Sequence, residues 1–266
     1  MQAVIVNLRL FWQSTLLSYI ALFHWLRPMT YLASKIAMPL AQVLFFTLLG
    51  TFATGPNTAN FYIIGNAMQI AAVSGIYGVT MSIGGDRWNG TLPYLFGTPA
   101  NRLVLFVGRA FLHIIDGMLG VVIAFLWGVV LLGLDLSNTN LLALALTILI
   151  TTYSTSGLGL LMGCLSLITL NVMFINNTVY FALLLFSGAN IPVQLLPEPL
   201  RAISFVLPLT RGIAAARRLI TGAEFREVAP LLLGEFIVGS LYVTLGFILF
   251  RWFEIQAKRR GSLETV

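Results

Sequence analysis

Six long apolar runs, separated by shorter polar segments, dominate the hydrophobic pattern of this chain. They cover residues 31–52, 61–83, 103–133, 141–165, 172–188 and 231–250. A helix of about 20 predominantly apolar residues crosses the ~30 Å hydrocarbon core of a bilayer. The pattern therefore predicts an all-α polytopic membrane protein with six transmembrane helices. The third run is longer than one span requires, and we expect it to tilt or to protrude into the cytosol.

A further apolar stretch, residues 4–26, precedes the first run, but Arg27-Pro28 leaves no room for a loop between them. On a helical wheel its apolar side chains share one half, which holds Leu8, Phe11, Trp12, Tyr19, Phe23 and Leu26. The other half holds Arg9, Gln13, Ser14, His24 and Arg27. Amphipathic helices of this kind lie in the plane of the membrane surface. We therefore predict an interfacial helix over residues 1–27.

The segment between the fifth and sixth runs, residues 189–229, mixes apolar and basic side chains. Its apolar portion, residues 203–220, contains Arg211, Arg217 and Arg218. Because an arginine at the centre of a span costs about 2.5–3.5 kcal/mol on insertion, this portion is not expected to cross the membrane. Four prolines favour short interfacial helices instead: Pro192, Pro197, Pro199 and Pro208. The three arginines either receive an anionic headgroup of a substrate or anchor the segment to lipid phosphate.

The composition agrees with a membrane protein and excludes several other classes. Hydrophobic residues make up 58% of the chain and charged residues only 9%, whereas soluble domains carry about 25% charge. The single cysteine, Cys164, excludes a disulfide framework within the chain and indicates no metal site. The chain contains no G-x-x-x-x-G-K-[ST] phosphate loop, so we expect ATP to be bound elsewhere.

Basic residues give the expected orientation in the membrane. The tight loops 54–60 and 135–140 carry no lysine or arginine, as is typical of the non-cytoplasmic side. Both termini are therefore expected in the cytoplasm. The expected layout of residues 1–266, a single transmembrane domain, is an interfacial helix (1–27), five spans (28–188), an outer segment (189–229), a sixth span (230–252) and a cytosolic tail (253–266).

The longest polar interruption in the first 130 residues is the stretch 84–102, GGDRWNGTLPYLFGTPANR. Its charged side chains require water or another protein around them. Gly84-Gly85 is expected to end the second span, and Asp86 to cap a short helix that closes at Gly97 and Thr98-Pro99. A short helix at the membrane surface is suited to receive force from a soluble partner. The alternative is an ordinary connecting loop.

Two motifs in the chain resemble those of ABC type-2 exporter permeases. The first is the coupling motif, which consists of Asp86, Arg87, Gly90, Thr91, Leu92, Thr98, Pro99 and Arg102. The second precedes the last span and comprises Ser187-Gly188, Leu195-Leu196-Pro197, Leu207-Pro208-Leu209-Thr210 and Arg217. The resemblance extends over essentially the whole chain. Two departures are Asp86, where glutamate is more usual, and Pro93 directly after Thr-Leu.

This resemblance implies an arrangement of subunits as well as a fold. A coupling helix would lie between spans two and three, and re-entrant outer helices between spans five and six. The chain would pair with a second permease chain, most simply as a homodimer, and with two ATP-binding subunits that hold ATP and Mg²⁺. It would itself bind no cofactor and catalyse no reaction. The expected location is the cytoplasmic membrane, and the expected cargo is a drug, a lipid or a lipid-linked glycan.

Polar residues within two spans are candidates for the translocation path, because the resemblance implies that the second and fifth spans border it. The second span carries Asn66, Gln69, Tyr77 and Thr80, and the fifth carries Asn171, Asn176, Asn177 and Thr178. Lipid-facing polar groups would be unsatisfied, so these should face protein or a water-filled path. The alternative is hydrogen bonding that merely holds the helices together.

Other polar residues in the spans have simpler interpretations. Arg109, His113 and Asp116 share one face of the third span. We expect a charge cluster that lowers the cost of burying Arg109 and Asp116 together, with a proton relay or catalytic dyad as the alternative. Thr155, Gly159 and Gly163 are expected to allow close helix packing. Glu235 could pair with an arginine of the outer segment. A secondary transporter or channel without an ATPase, and an intramembrane enzyme, are the rival functions.

Overall fold

The computed structural model describes residues 2–25, 28–91, 94, 97–98, 100–167 and 171–260, and for residues 2–4, 21–25, 87–88 and 257–260 it describes the backbone alone. The longer helices are α1 (Gln2–Trp25), α2 (Pro28–Thr54), α3 (Ala59–Ala72), α4 (Val79–Trp88), α5 (Arg102–Leu132), α6 (Leu141–Ser166), α7 (Val172–Phe186) and α10 (Phe225–Arg260). A π-helical turn, Val73–Gly78, joins α3 to α4 without a break. The shorter helices are α8 (Glu198–Val206) and α9 (Thr210–Ile220), and 3₁₀ turns form at Pro56–Thr58 and Val193–Leu195.

Five helices within the described residues are long and apolar enough to cross a membrane. They are Pro28–Thr54, Pro56–Asp86, Arg102–Leu132, Leu141–Ser166 and Phe225–Gln256. The fifth predicted run forms a helix of 15 residues, α7, which at 1.5 Å per residue is about 22 Å long. This is shorter than the hydrocarbon core, because the chain turns away at Gly188, whose φ is 85°. The all-helical fold class is confirmed. That the fifth run also crosses the membrane, which would make six spans, stays a prediction.

The continuous helix formed by α3, the π turn and α4 is the most buried of these spans. It contacts α2, α5, α6 and α7, and its residues Ile63, Met68 and Ile76 lie in the main hydrophobic core. A Cβ added to Gly163 would lie 2.7 Å from the Ile83 side chain. A Cβ added to Gly159 would collide with the backbone of Gly75. The close packing expected of the small residues on α6 is therefore confirmed.

The N-terminal stretch forms a helix as predicted, but its buried side differs from the expected one. α1 packs along α5, where Thr15 Oγ1 donates to the Gly108 carbonyl at 2.8 Å. The rings of Phe11 and Phe111 are 5.4 Å apart. Ser14, which was expected on the water-facing half, is 2% exposed. Its small side chain is buried because Gly108 lets the two helices approach closely.

The region between α7 and α10 consists of short helices, as the prolines predicted. Pro197 precedes α8 and Pro192 precedes the second 3₁₀ turn. The last helix is much longer than the predicted sixth span, because it begins at Phe225 and continues to Arg260. Residues 253–260, expected in a cytosolic tail, are therefore part of α10. Whether α8 and α9 re-enter the membrane stays a prediction.

Candidate coupling segment and polar interior

The second span does not end at Gly84-Gly85, and Asp86 does not cap a new helix. α4 continues through both glycines to Trp88, so that Asp86 lies in its last turns. At Gly84 the reason is packing, because a Cβ there would lie 2.5 Å from the Ser166 hydroxyl. The sequence expectation was wrong because a glycine lowers helix stability by only about 0.5–1 kcal/mol, which packing against α6 can offset.

The actual end of α4 lies at Gly90, which has a φ of 67°. The Thr91 amide donates to the Asp86 carbonyl at 2.8 Å, five residues back, as in a Schellman motif. The Thr91 hydroxyl also donates to Asp86 Oδ1 at 3.1 Å. Among the described residues no atom lies within 4 Å of a Cβ placed on Gly90, and its left-handed backbone favours glycine.

Asp86 is held by an ion pair within its own chain. Arg109 Nη1 of α5 donates to Asp86 Oδ2 at 2.6 Å and to the Ser82 carbonyl at 2.7 Å. The two side chains are only 18% and 15% exposed, respectively. This pairing replaces the predicted cluster of Arg109 with Asp116. It ties the end of α4 to α5.

The other end of the segment is fixed by a second ion pair, which the sequence analysis missed. Arg102 at the start of α5 pairs with Glu254 near the end of α10, and Arg251 approaches the same carboxylate at 3.2 Å. Arg102 Nη2 also donates to the Thr98 carbonyl at 3.0 Å. The one signal in the sequence was Glu254, an acidic residue among the basic residues near the end of the last helix. It lies 152 positions away from Arg102. Residues 86–102 are therefore attached at both ends to helices of the bundle.

Part of the predicted coupling motif lies outside the described residues. This applies to Leu92 and Pro99, and to the side chain of Arg87. Tyr94 and Gly97, between them, have helical backbone conformations. We define the coupling segment as residues 86–102. Its members within the described residues include Asp86, Gly90, Thr91, Thr98 and Arg102, of which Asp86 and Arg102 bind other helices.

Asp116 is the centre of a separate polar cluster in the interior. Lys35 Nζ of α2 lies 2.5 Å from Asp116 Oδ2, and Ser74 Oγ of the π turn donates to the same oxygen at 2.5 Å. The Tyr31 hydroxyl donates to Oδ1. His113 is 6% exposed and packs beside Gly78. The donors to Asp116 are thus Lys35, Ser74 and Tyr31, because α2 and the π turn face this side of α5.

The path candidates of the second span are mostly hydrogen-bonded to α6 or to the turn that follows α7. Asn66 Nδ2 donates to Asn190 Oδ1 at 2.9 Å, and Gln69 Oε1 accepts from the Ser187 hydroxyl at 3.3 Å. Asn66, Gln69 and Thr80 are fully buried, and Thr80 donates to the Gly159 carbonyl at 3.2 Å. These hydrogen bonds agree with the alternative that the polar residues hold the bundle together. Their role in transport stays a prediction.

Tyr77 and two asparagines of α7 are arranged differently. The Tyr77 hydroxyl donates to Asn177 Oδ1 at 2.6 Å, at an exposed position. The Asn176 side chain is fully buried, and among the described residues neither of its amide atoms has a hydrogen-bond partner. Asn171 and Thr178 are exposed. A buried amide is costly unless it meets another polar group, so Asn176 needs a polar partner in addition to the described residues.

The outer segment is held by two residues that bond to backbone atoms. Arg217 Nη2 donates to the Phe61 and Ala189 carbonyls at 2.9 and 3.2 Å, and its guanidinium lies 3.6 Å from the centre of the Phe61 ring. Burial lowers the pKa of Arg217 to about 9, so it is charged at neutral pH. Arg217 therefore joins α9 to the start of α3. A substrate headgroup or lipid phosphate at the outer arginines stays a prediction.

Glu235 of α10 is fully buried and binds the start of α9. Its two carboxylate oxygens accept from the backbone amides of Leu209 and Arg211 at 2.5 and 3.2 Å. The expected partner was an arginine side chain. A carboxylate is stabilised at a helix N-terminus because the first amides lack partners within the helix. Pro208 and Thr210 are buried beside this contact, whereas Arg218 is exposed.

These observations describe a polytopic membrane protein in which the polar segment between the second and third spans is attached at both ends to a helix bundle. The comparison with known families agrees with that description. Residues 13–220 match the ABC-2 type transporter family, and this range is well over half of the chain. No curated protein matches the chain. The chain is a membrane-spanning permease that belongs to the ABC-2 type transporter family.

Proposed function

We propose that this chain is the permease subunit of an ATP-driven exporter, and that residues 86–102 receive the force of a separate ATPase subunit. The observation that carries the proposal is the attachment of this segment at both ends. Asp86–Arg109 joins it to α4 and α5, and Arg102–Glu254 joins it to α5 and α10. A displacement of the segment would therefore move three helix ends together.

The route from this segment to the interior runs through the second span. α4 continues without interruption into the π turn and α3, the most buried of the helices long enough to span the membrane. This helix carries Gln69, and it contacts α7, which carries Asn176. Both side chains are fully buried, and among the described residues Gln69 Nε2 and both amide atoms of Asn176 have no hydrogen-bond partner. These two amides are our best-supported candidates for the lining of the translocation path.

The family implies an ATP-binding partner, and the remaining features of the assembly are part of our proposal. Two ATPase chains hold ATP and Mg²⁺ and dock on the coupling segment. Two permease chains, most simply identical, enclose the path in the cytoplasmic membrane with their termini in the cytoplasm. The substrate is hydrophobic or amphipathic, because the path candidates are uncharged amides and a phenol within an apolar bundle. Drugs, lipids and lipid-linked glycans share this chemistry.

A charge exchange tests the proposal and separates two ways in which Asp86 could act. Asp86→Asn should lower the substrate-stimulated ATP hydrolysis of the complex in proteoliposomes, and the export of a lipophilic fluorescent dye. If Asp86 orients the segment through Arg109, the exchange Asp86→Arg with Arg109→Asp should restore much of both activities. If Asp86 contacts the ATPase directly, the exchange should not restore them.

The matched control is Asp135→Asn, which removes an exposed carboxylate at the opposite end of α5. We expect it to leave hydrolysis and export unchanged. A second variant, Gly90→Val, forces a β-branched residue into the left-handed conformation at the end of α4 and should also uncouple hydrolysis from export. Normal export by both Asp86→Asn and Gly90→Val would contradict a coupling role for this segment.

A further inference from the structure

The π turn Val73–Gly78 determines the rotational orientation of α4, the half of the second span that follows it. A π turn accommodates one residue more than an α-helix of the same path. If this turn became α-helical without losing a residue, everything after it would rotate by about 100°, the angle of one residue in an α-helix. Ile76 would then point where Tyr77 points now, and Gly85 would take the direction of Asp86.

Side chains from two neighbouring helices hold the turn on the α5 side. Ser74 Oγ donates to Asp116 Oδ2 at 2.5 Å and to the His113 carbonyl at 3.0 Å. Asp116 is itself fixed by Lys35 and Tyr31 of α2. The carboxylate is therefore held from several sides, and the Ser74 hydroxyl reaches it in the register that the π turn provides.

The α6 side adds a second set of contacts to the same turn. Thr155 Oγ1 donates to the Ala71 carbonyl at 3.2 Å, two residues before the turn begins. A Cβ on Gly75 would lie 2.8 Å from the Thr155 backbone carbon, and one on Gly78 would meet the His113 ring. The two glycines thus allow α5 and α6 to grip the turn from both sides.

Two contacts at different depths depend on this register at the same time. Tyr77, inside the turn, donates to Asn177 of α7 at 2.6 Å, and Asp86, two turns further on, pairs with Arg109 at 2.6 Å. We infer that Ser74 and Asp116 are positioning residues that fix the π register, and that they thereby align the path residue Tyr77 and the coupling residue Asp86 together. The roles of Tyr77 in the path and of Asp86 in coupling rest on the proposed function, whereas the π register itself does not.

Thiol reactivity can measure the register without any transport assay. In a chain carrying Cys164→Ala, we would introduce one cysteine in place of either Tyr77 or Ile76. Ile76 is fully buried, whereas Tyr77 is partly exposed. In the complete detergent-solubilised protein, the cysteine at 77 should react with a small polar methanethiosulfonate much faster than the cysteine at 76. Adding Ser74→Ala should invert the ratio of the two rates.

A second variant guards against simple unfolding. Lys35→Met with Asp116→Leu removes both members of the ion pair and leaves no unpaired charge, which is the replacement that folds tolerate best. It should shift the ratio in the same direction as Ser74→Ala. Deleting Val73 from the Ser74→Ala chain removes the extra residue, and it should return the faster reaction to position 77. Loss of a merely structural contact would not be rescued by shortening the helix.

The matched control is Ser82→Ala on the same span, because the Ser82 hydroxyl donates to the Val79 carbonyl of its own helix. It should leave the ratio as in the parent chain. An unchanged ratio in both the Ser74→Ala and the Lys35→Met, Asp116→Leu chains would overturn the inference, and so would a rise in reactivity at both positions. Either result would leave the charge-exchange test of the proposed function intact.

Discussion

The contact between Glu235 and the start of α9 gives the sharpest stability prediction. Glu235 is fully buried, and its carboxylate accepts from the Leu209 and Arg211 amides. Leu209 has a φ of 82°, a conformation that costs a residue with a side chain about 1–3 kcal/mol. The carboxylate therefore holds both the helix end and a strained residue in place.

The size of the effect follows from these two bonds. A buried amide that loses its acceptor costs about 1–3 kcal/mol, so Glu235→Ala, which leaves two such amides, should lower the free energy of unfolding by about 2–6 kcal/mol. Glu235→Gln keeps one acceptor oxygen but presents an NH₂ group to the second amide. It should therefore lose about half as much, on the order of 1–3 kcal/mol.

Denaturant unfolding of the purified protein in detergent would measure both losses. Limited proteolysis should show earlier cleavage near residues 207–222 in Glu235→Ala than in the parent chain. Glu224→Gln is the control, because Glu224 is an exposed carboxylate just before the same helix, and it should change neither result. If Glu235→Ala were as stable as Glu224→Gln, the assigned role of this carboxylate would be refuted.

Two further predictions concern the outer segment and the path. Arg217→Met should destabilise the protein by about 2–3 kcal/mol, since two bonds to carbonyls and a ring contact are lost, whereas the exposed Arg218→Met should have little effect in the same unfolding assay. Tyr77→Phe should alter the rate or selectivity of dye export while stability changes by less than about 1.5 kcal/mol. Equal stability of the two arginine variants, or unaltered export by Tyr77→Phe, would contradict these assignments.

Helix positions were the most predictable property of this chain, because local signals mark them. The third run was expected over residues 103–133 and forms Arg102–Leu132. Its start is capped by the Asn101 side chain, and its end by Gly133 in the left-handed conformation. Apolar composition over such lengths leaves few alternatives to a helix. The apolar run 141–165 likewise located α6, and the structure shows that Asn140 caps its first turn.

Partners in the polar interior could not be predicted, because they depend on how distant helices meet. The i, i+4, i+7 spacing of Arg109, His113 and Asp116 suggested one cluster. In the folded chain Arg109 faces α4, whereas Asp116 faces Lys35. The pairing of Arg102 with Glu254 and the π turn likewise leave almost no trace in the sequence. At Gly84 the local signal was misleading, because tight packing against Ser166 overrides it.

The central claim, that a partner ATPase drives this permease through residues 86–102, is tested most directly by isolating the tagged full-length chain from its native membrane in mild detergent. We would measure ATP hydrolysis and the mass of the purified complex for the parent chain and for Asp86→Asn. For the parent chain we expect two permease chains with two ATP-binding subunits, and hydrolysis stimulated by substrate. Asp86→Asn should either lose the ATP-binding subunits or retain them without stimulation. A permease that exports substrate while no ATP-binding subunit is present would contradict the claim.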